Sequence, residues 1–281
     1  MDHRRHRPLS RERARRTSAL VSNPETRDLF DRKLRALRRD RAARTGPEMV
    51  LLDRAFSECI DRLRDVSRRF DHALLIGAPT PDWRSRVEQF ARVVDVFDPG
   101  PRLAAASDGI AGDEDRHDFG ERRYDLVMAV GTLDTVNELP LALRMIRRAM
   151  RPDAPFLGAL AGGDSLPALR AAMIEADRAT GGVAARTHPR IEPSSLAGLL
   201  SGAGFVMPVV DLDRVGLRYS SLAALVGDLR AMGAANILAD RSPGRGKGWA
   251  ARAAAAFAAQ GRDGRTEERI DILHFLAWSP A

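Results

Sequence analysis

Between residues 73 and 179, short apolar segments alternate with helix-forming segments, and this alternation restricts the fold more than any other feature of the chain. Short apolar runs bounded by turn residues are typical of strands that are buried on both faces. A strand, a helix and a further strand form a right-handed crossover, which makes the two strands parallel. We therefore predict an α/β fold with a Rossmann-like, doubly wound, mostly parallel sheet, which binds ligands at the carboxyl ends of its strands. The predicted strands are 73–76, 92–97, 124–130 and 156–161, and the predicted helices are 82–90, 138–150 and 165–179.

The pattern changes after residue 180. The sequence predicts helices near 194–203, 222–232 and 249–260, a further segment over 205–213, and strands over 215–219 and 270–278. The last strand is expected at an edge of the sheet, antiparallel to the others. A Gly/Arg-rich segment, 241–248, lacks the first glycine and the Ser/Thr of a phosphate-binding loop, so we expect an ordinary flexible loop there.

The residues before the first strand predict an arm and two helices. Asn23-Pro24 is typical of a helix start, and this helix is expected to end near Arg44. Apolar residues recur at spacings of three and four between 47 and 69, which predicts a second helix with one buried face. Cys59 lies on that face, so we expect a packed thiol rather than a nucleophile. The predicted division is a disordered basic arm at 1–22, N-terminal helices at 23–69 and one α/β domain at 70–281.

Composition excludes several classes of protein. The chain has 281 residues, of which 44% are hydrophobic, and none of its apolar runs reaches the ~18 residues of a membrane-spanning helix. A single cysteine excludes an intramolecular disulfide and a cysteine-based zinc cluster. The six histidines show no metal-ligand spacing, so no metal site is predicted.

Charge is distributed unevenly along the chain. Residues 1–44 contain 15 basic and 6 acidic residues, whereas the rest contains 30 basic and 32 acidic residues and is nearly neutral. The basic arm is therefore expected to contact an acidic partner or to remain a solvated tail. Residues 1–22 have no apolar segment of a secretory signal, and Asp2, Pro8 and Glu12 interrupt the amphipathic face of a mitochondrial transit peptide. We therefore expect a cytoplasmic protein.

Acidic residues follow neighbouring strands of the predicted sheet. Asp98 comes directly after the second strand, and Asp113 precedes the third strand by about a dozen residues. Carboxylates in these positions can accept hydrogen bonds from ribose hydroxyls and an adenine amino group. Surface loops are also rich in acidic residues, so a purely structural role stays open at this point.

Two segments carry a resemblance to a known family. The segments YDLV at 124–127 and LDTVNELP at 133–140 resemble the corresponding segment of class I S-adenosylmethionine-dependent methyltransferases. Two groups within that class are similar: the malonyl-carrier-protein methyltransferase of biotin synthesis, and a mitochondrial complex I assembly factor that acts as an arginine hydroxylase. Other segments point to the assembly-factor branch, namely FDR at 30–32, RDRAA at 39–43, GGDSL at 162–166, DLRAMG at 228–233 and LAW at 276–278.

The resemblance implies a cofactor site, which this chain matches only in part. The implied cofactor is S-adenosylmethionine, and the candidate binding residues are Gly77, Asp98, Asp113, Glu114 and Val130. Asp98 departs from the family pattern, because Phe97 takes the place of the acid that ends the second strand and Asp98 follows one residue late. In the first glycine motif, however, Leu75 replaces an acid, and Pro79 and Pro81 replace two glycines. Proline has no N–H and a fixed φ, so the methionine half of the site loses partners. We therefore expect weak binding that depends on the adenosine half.

Three functions stay open at the level of sequence. The chain is expected to be a methyltransferase acting on a small molecule, an acyl carrier or a protein. An alternative is an assembly-type factor with arginine-hydroxylase-like activity, whose implied partner is a subunit of respiratory complex I. The third is a non-catalytic binding protein that has lost the cofactor. The sequence identifies no catalytic residue.

Overall fold

A computed structural model describes residues 28–46, 48–179, 182, 184–241 and 246–281. The predicted arm at 1–22, the predicted helix start at Asn23-Pro24 and residues 242–245 of the Gly/Arg-rich loop lie outside the described residues. The strands are β1 (Phe70–Ile76), β2 (Ala91–Asp98), β3 (Ile110–Ala111), β4 (Leu126–Val130), β5 (Pro155–Gly162), β6 (Val206–Tyr219) and β7 (Thr266–Trp278). The helices are α1 (Arg32–Thr45), α2 (Val50–Asp65), α3 (Pro81–Glu88), α4 (Pro101–Ala106), α5 (Leu139–Ala149), α6 (Pro167–Arg178), α7 (Pro193–Gly202), α8 (Leu222–Ala231) and α9 (Gly246–Ala258).

The seven strands form one sheet in the order β3-β2-β1-β4-β5-β7-β6. The first five strands in this order are parallel, whereas β7 is antiparallel to β5 and β6 is antiparallel to β7. The predicted α/β fold with a mostly parallel sheet and an antiparallel edge strand is therefore confirmed. The doubly wound arrangement is confirmed as well, because helices α2, α3, α6, α8 and α9 cover one face and helices α5 and α7 cover the other.

The prediction that the last strand lies at the edge is wrong. The last strand, β7, is inserted between β5 and β6, and β6 forms the edge. Most residues of β7 are buried, as a central strand requires, whereas exposed and half-buried residues alternate along β6. The two predicted segments 205–213 and 215–219 also prove to be one continuous strand of 14 residues.

Helix α2 contributes the buried apolar face that the sequence predicts. Phe56, Cys59 and Leu63 are each at most 1% exposed and pack in the core on the α2 side of the sheet. Burial raises the pKa of the Cys59 thiol to about 12, which agrees with a packed thiol. None of the helices within the described ranges is long and apolar enough to cross a membrane.

Helix α1 has a different character, because few of its residues are apolar. Asp31 caps its amino end, where the carboxylate accepts a hydrogen bond from the Leu34 amide at 3.0 Å. Next to the cap, Phe30 packs in a small cluster with Ile237 and Leu238. The helix packs against α4 and α8. The residues that hold its central part are charged, and they lead to the site at the carboxyl ends of the strands.

Candidate nucleoside pocket and adjoining cavity

Three of the predicted site residues meet at the carboxyl ends of β1, β2 and β4. Gly77 follows β1 with a φ of +83°, and a Cβ added there would lie 2.3 Å from the carbonyl oxygen of Val130. The Gly77 amide donates to the carbonyl of Phe97 at 2.8 Å, and the next amide, of Ala78, donates to the Asp98 carboxylate at 3.0 Å. The turn after β1 is therefore packed directly against the ends of the two neighbouring strands.

Asp98 is the last residue of β2, and its side chain is completely buried. Its position one residue later than in the family pattern does not turn it outward, because the strand ends there and the carboxylate accepts from the amides of Ala78 and Gly100. The guanidinium of Arg39 donates to the same carboxylate, with Nε 2.8 Å from Oδ1 and Nη2 2.6 Å from Oδ2. Both oxygens of the expected ribose acceptor are thus engaged within the chain.

A second arginine of α1 holds the next acid. Arg35 is 3% exposed and donates to Glu114, which is fully buried, at 2.6 and 3.0 Å. Arg35 also donates to the carbonyl of Thr132 at 2.7 Å and to the hydroxyl of Thr135 at 3.1 Å. Burial alone would lower the pKa of Arg35, but the Glu114 carboxylate outweighs that effect and raises it. A buried ion pair of this kind persists only because its hydrogen-bonding groups are satisfied.

A third arginine of α1, Arg32, is also paired with an acid. Arg32 donates to both oxygens of Asp115 at 2.5 and 2.8 Å, and Asp115 also accepts from the amide of Glu138 at 3.0 Å. Burial would raise the pKa of Asp115, but these hydrogen bonds lower it. Asp113, the expected adenine acceptor, lies 3.6 Å from Arg32 and 3.5 Å from Arg35. The predicted pair Asp113 and Glu114 therefore faces arginine side chains.

We call Arg32, Arg35 and Arg39 the arginine row. They stand at positions i, i+3 and i+7 of α1, which places them on one face of the helix. The row explains how a helix with few apolar residues is held against the sheet. The sequence does contain its signal, since an arginine stripe with helical spacing replaces the usual apolar stripe. A stripe of charges normally marks a solvated face, however, so the sequence alone did not predict its burial.

Little space remains beside the turn after β1. A cavity of about 10 Å³ lies there, lined by Arg39, Leu52, Pro79, Val130 and Gly131 among others. A cavity of that size holds about one water molecule. The space directly beside Pro79 is therefore nearly filled by side chains of α1 and α2, whereas Arg39, Leu52, Val130 and Gly131 also border a second cavity.

A larger cavity of about 120 Å³ opens over the carboxyl ends of β4 and β5. Most of its wall is apolar, but Arg35, Arg39, Asp134, His188 and Arg190 bring charged or polar groups to it. Asp134 and Arg190 form an ion pair at 3.3 Å. His188 Nε2 accepts from the amide of Ile237 at 3.0 Å, so the ring proton lies on Nδ1. Burial lowers the pKa of His188 to about 4, and the ring is neutral at pH 7. Neither His188 nor Arg190 belongs to a recognisable motif, so the sequence did not predict them as site residues.

The described residues contain no group of three or more His, Cys, Asp or Glu side chains that could hold a metal ion. The site is thus an array of arginine–carboxylate pairs beside a mainly apolar cavity.

Two kinds of protein with known names are similar in sequence to this chain. It is 30% identical over 272 residues, which cover 92% of this chain and 79% of the relative, to the mouse (Mus musculus) protein named "Arginine-hydroxylase NDUFAF5, mitochondrial". It is 32% identical over 162 residues to the malonyl-[acyl-carrier protein] O-methyltransferase of Laribacter hongkongensis, but this match spans only 56% of the chain and about half, 52%, of that relative. No protein-family profile matches the chain.

The fold has a counterpart among solved structures. The crystal structure of a proposed methyltransferase of Bacillus halodurans superimposes with a TM-score of 0.54 over 80% of this chain and 100% of that one, at 11% identity. This likeness concerns the fold alone. The similarity to the mouse protein extends over nearly the whole chain. Taken with the fold, it shows that this chain belongs to the NDUFAF5 arginine-hydroxylase family.

Proposed function

We propose that this chain is a protein-binding member of the arginine-hydroxylase family that keeps the methyltransferase fold without holding S-adenosylmethionine. The ion pair between Arg39 and Asp98 carries the proposal. A ribose would need the Asp98 carboxylate, and both of its oxygens already accept hydrogen bonds from Arg39. The residues of the expected nucleoside pocket therefore do not fit the cofactor.

The energy of the Arg39–Asp98 pair supports this proposal. The Arg39 side chain is 11% exposed and that of Asp98 is fully buried. Breaking a buried ion pair by removing one partner costs about 3–5 kcal/mol. A ribose that displaced Arg39 would have to offset a comparable cost, which corresponds to roughly two to four orders of magnitude in affinity.

The glycine turn supports the same conclusion. Pro79 borders the cavity of about 10 Å³ and cannot donate a backbone hydrogen bond. The Gly77 amide is already engaged with Phe97, and the Ala78 amide with Asp98. Few backbone donors of this turn are left for the carboxylate of a methionine moiety.

Arginine hydroxylation is the second candidate, and the name of the mouse relative favours it. A guanidinium substrate in the larger cavity would need a carboxylate partner, and Asp134 is the acid that lines that cavity. Asp134 is already paired with Arg190, which weakens this candidate. Mass spectrometry of arginine-containing peptides, incubated with the chain and cell extract, would detect one added oxygen atom. A cytoplasmic location and a partner in respiratory complex I stay predictions.

Calorimetric titration of the full chain with S-adenosylmethionine and S-adenosylhomocysteine tests the proposal. We expect a dissociation constant weaker than about 1 mM for both compounds. Arg39→Ala removes the guanidinium beside Asp98. If that guanidinium blocks the ribose position, the variant should bind both compounds more tightly than the unchanged chain does. Arg44→Ala removes an exposed arginine of the same helix and serves as the matched control. Binding at about 10 μM or tighter by the unchanged chain would refute the proposal and favour a working methyltransferase.

A further inference from the structure

Helices α1 and α8 bring together a second set of arginines, which are not members of the arginine row. Arg38 and Arg41 lie on α1, and Arg230 lies in the last turn of α8. The two helices are in close contact where α8 ends, since a Cβ added to Gly233 would lie 3.5 Å from the Cα of Arg39 and 3.7 Å from the Arg38 carbonyl oxygen. We call Arg38, Arg41 and Arg230 the arginine patch.

The arginine patch has no acidic partner within the part of the chain that the structure describes. Arg38 Nε is buried and makes no hydrogen bond. Burial lowers the pKa of Arg38, and the neighbouring charges of Arg41, Arg230 and Arg241 lower it further. Arg241 differs from the patch residues, because it forms an ion pair with Asp31 at 3.2 Å. In the arginine row, by contrast, each guanidinium faces a carboxylate.

Like charges held together without counter-charges oppose folding unless an anion outside the fold joins them. The chain's own first 27 residues are unsuited to that task, because they contain eight arginines and three acidic residues. On α1, in the turn preceding Arg41, stands Leu37, which is 57% exposed. The surface therefore offers three guanidiniums and one apolar side chain.

We propose that the arginine patch and Leu37 dock an acidic protein segment that also carries an apolar side chain. This inference rests on the proposed protein-binding function and adds the surface and the chemistry of the partner. Nucleic acid is a poorer fit, because beyond residues 1–44, which carry 15 basic and 6 acidic residues, the chain has 30 basic and 32 acidic residues and gives the patch no extended basic surroundings for a polyanion. Carboxylates spaced along a peptide match guanidiniums one by one through paired hydrogen bonds.

Fluorescence anisotropy with a labelled peptide of repeated Glu-Glu-Leu triplets tests this proposal on the full chain. Reversing the two exposed charges in Arg41→Glu/Arg230→Glu should weaken binding about tenfold or more, and Leu37→Ser should weaken it to a lesser extent. The control Arg92→Glu/Arg144→Glu makes the same change in net charge at two exposed arginines that also lack a partner among the described residues. It should change the affinity less than about twofold.

An equal loss of affinity for the peptide in both double variants, or no peptide binding by the unchanged chain, would overturn the proposed docking surface. Tighter, patch-dependent binding to a DNA duplex or to phosphatidylserine vesicles would overturn the assignment to an acidic protein. The same samples are titrated with S-adenosylmethionine. Cofactor binding would refute the proposed function while leaving the peptide result standing, so the two failures are distinguishable.

Discussion

The guanidinium of Arg39 forms two hydrogen bonds with the carboxylate of Asp98, at 2.8 and 2.6 Å, across 59 residues of sequence. This contact joins helix α1 to the carboxyl end of β2. It places a guanidinium against the acid that the sequence predicts as the ribose acceptor.

Arg39→Ala should lower the free energy of unfolding by about 3–5 kcal/mol, because it leaves the buried Asp98 carboxylate without its cation. Urea denaturation followed by circular dichroism measures this change. Arg39→Leu/Asp98→Asn removes both charges and should cost less than Arg39→Ala alone. Arg44→Ala should cost less than about 0.5 kcal/mol. A loss below that value for Arg39→Ala would contradict the structural role of the pair.

Gly77→Ala should destabilise the chain strongly, because the added Cβ would meet the Val130 carbonyl oxygen at 2.3 Å and the residue has a φ of +83°. Gly46→Ala is a matched control, since Gly46 has a φ of +86° but no atom within 4 Å of the added Cβ. We expect the control to lower the free energy of unfolding by about 1 kcal/mol, from backbone strain alone, and Gly77→Ala to lower it by at least twice as much. Thermal unfolding of both variants provides the comparison. Equal effects would show that the turn has room to relax.

Stability should fall as the pH is lowered from about 7 towards 4, owing to buried histidines. Burial lowers the pKa of His188 from 6.5 to about 4 and also lowers that of His274. Between these values the unfolded chain binds a proton that the folded chain does not, so each step down in pH favours unfolding. The loss reaches up to about 3 kcal/mol for His188 alone.

Urea denaturation at a series of pH values measures this loss. The variant His188→Gln/His274→Phe should flatten the curve between about pH 6.5 and pH 5, where carboxylates still contribute little. Glutamine keeps an acceptor for the Ile237 amide, so the hydrogen bond of His188 is preserved. An unchanged pH dependence in the variant would assign the effect to other groups.

Cys59 should not react with a disulfide-exchange reagent such as dithiodipyridine until the chain unfolds. The thiol is 1% exposed, and burial raises its pKa to about 12, so almost no thiolate forms at pH 8. The labelling rate in increasing urea should follow the unfolding transition measured by circular dichroism. Fast labelling without denaturant would show that α2 opens readily from the sheet.

The fold was predictable wherever the signal was local. Alternating apolar and amphipathic segments specified most strands and helices to within a few residues. Short elements such as α4 and β3, with 6 and 2 residues, escaped because they contain too few residues to display a period. The edge position of β6 was not predicted, for a different reason. Strand order depends on which strands can be buried on both faces, and neighbours in the sheet need not be neighbours in sequence.

The candidate site was likewise predictable only in part. The sequence by itself determined which residues stand at the ends of the strands, among them Gly77, Asp98 and Val130, because a residue's place in a strand follows from local periodicity. Only the tertiary structure decided what their side chains meet. The partner of Asp98 is an arginine on a helix 59 residues earlier, and its position depends on how α1 lies across the sheet. No local pattern encodes that contact, since it is the packing of distant elements that converts a row of solvated charges into a set of buried ion pairs.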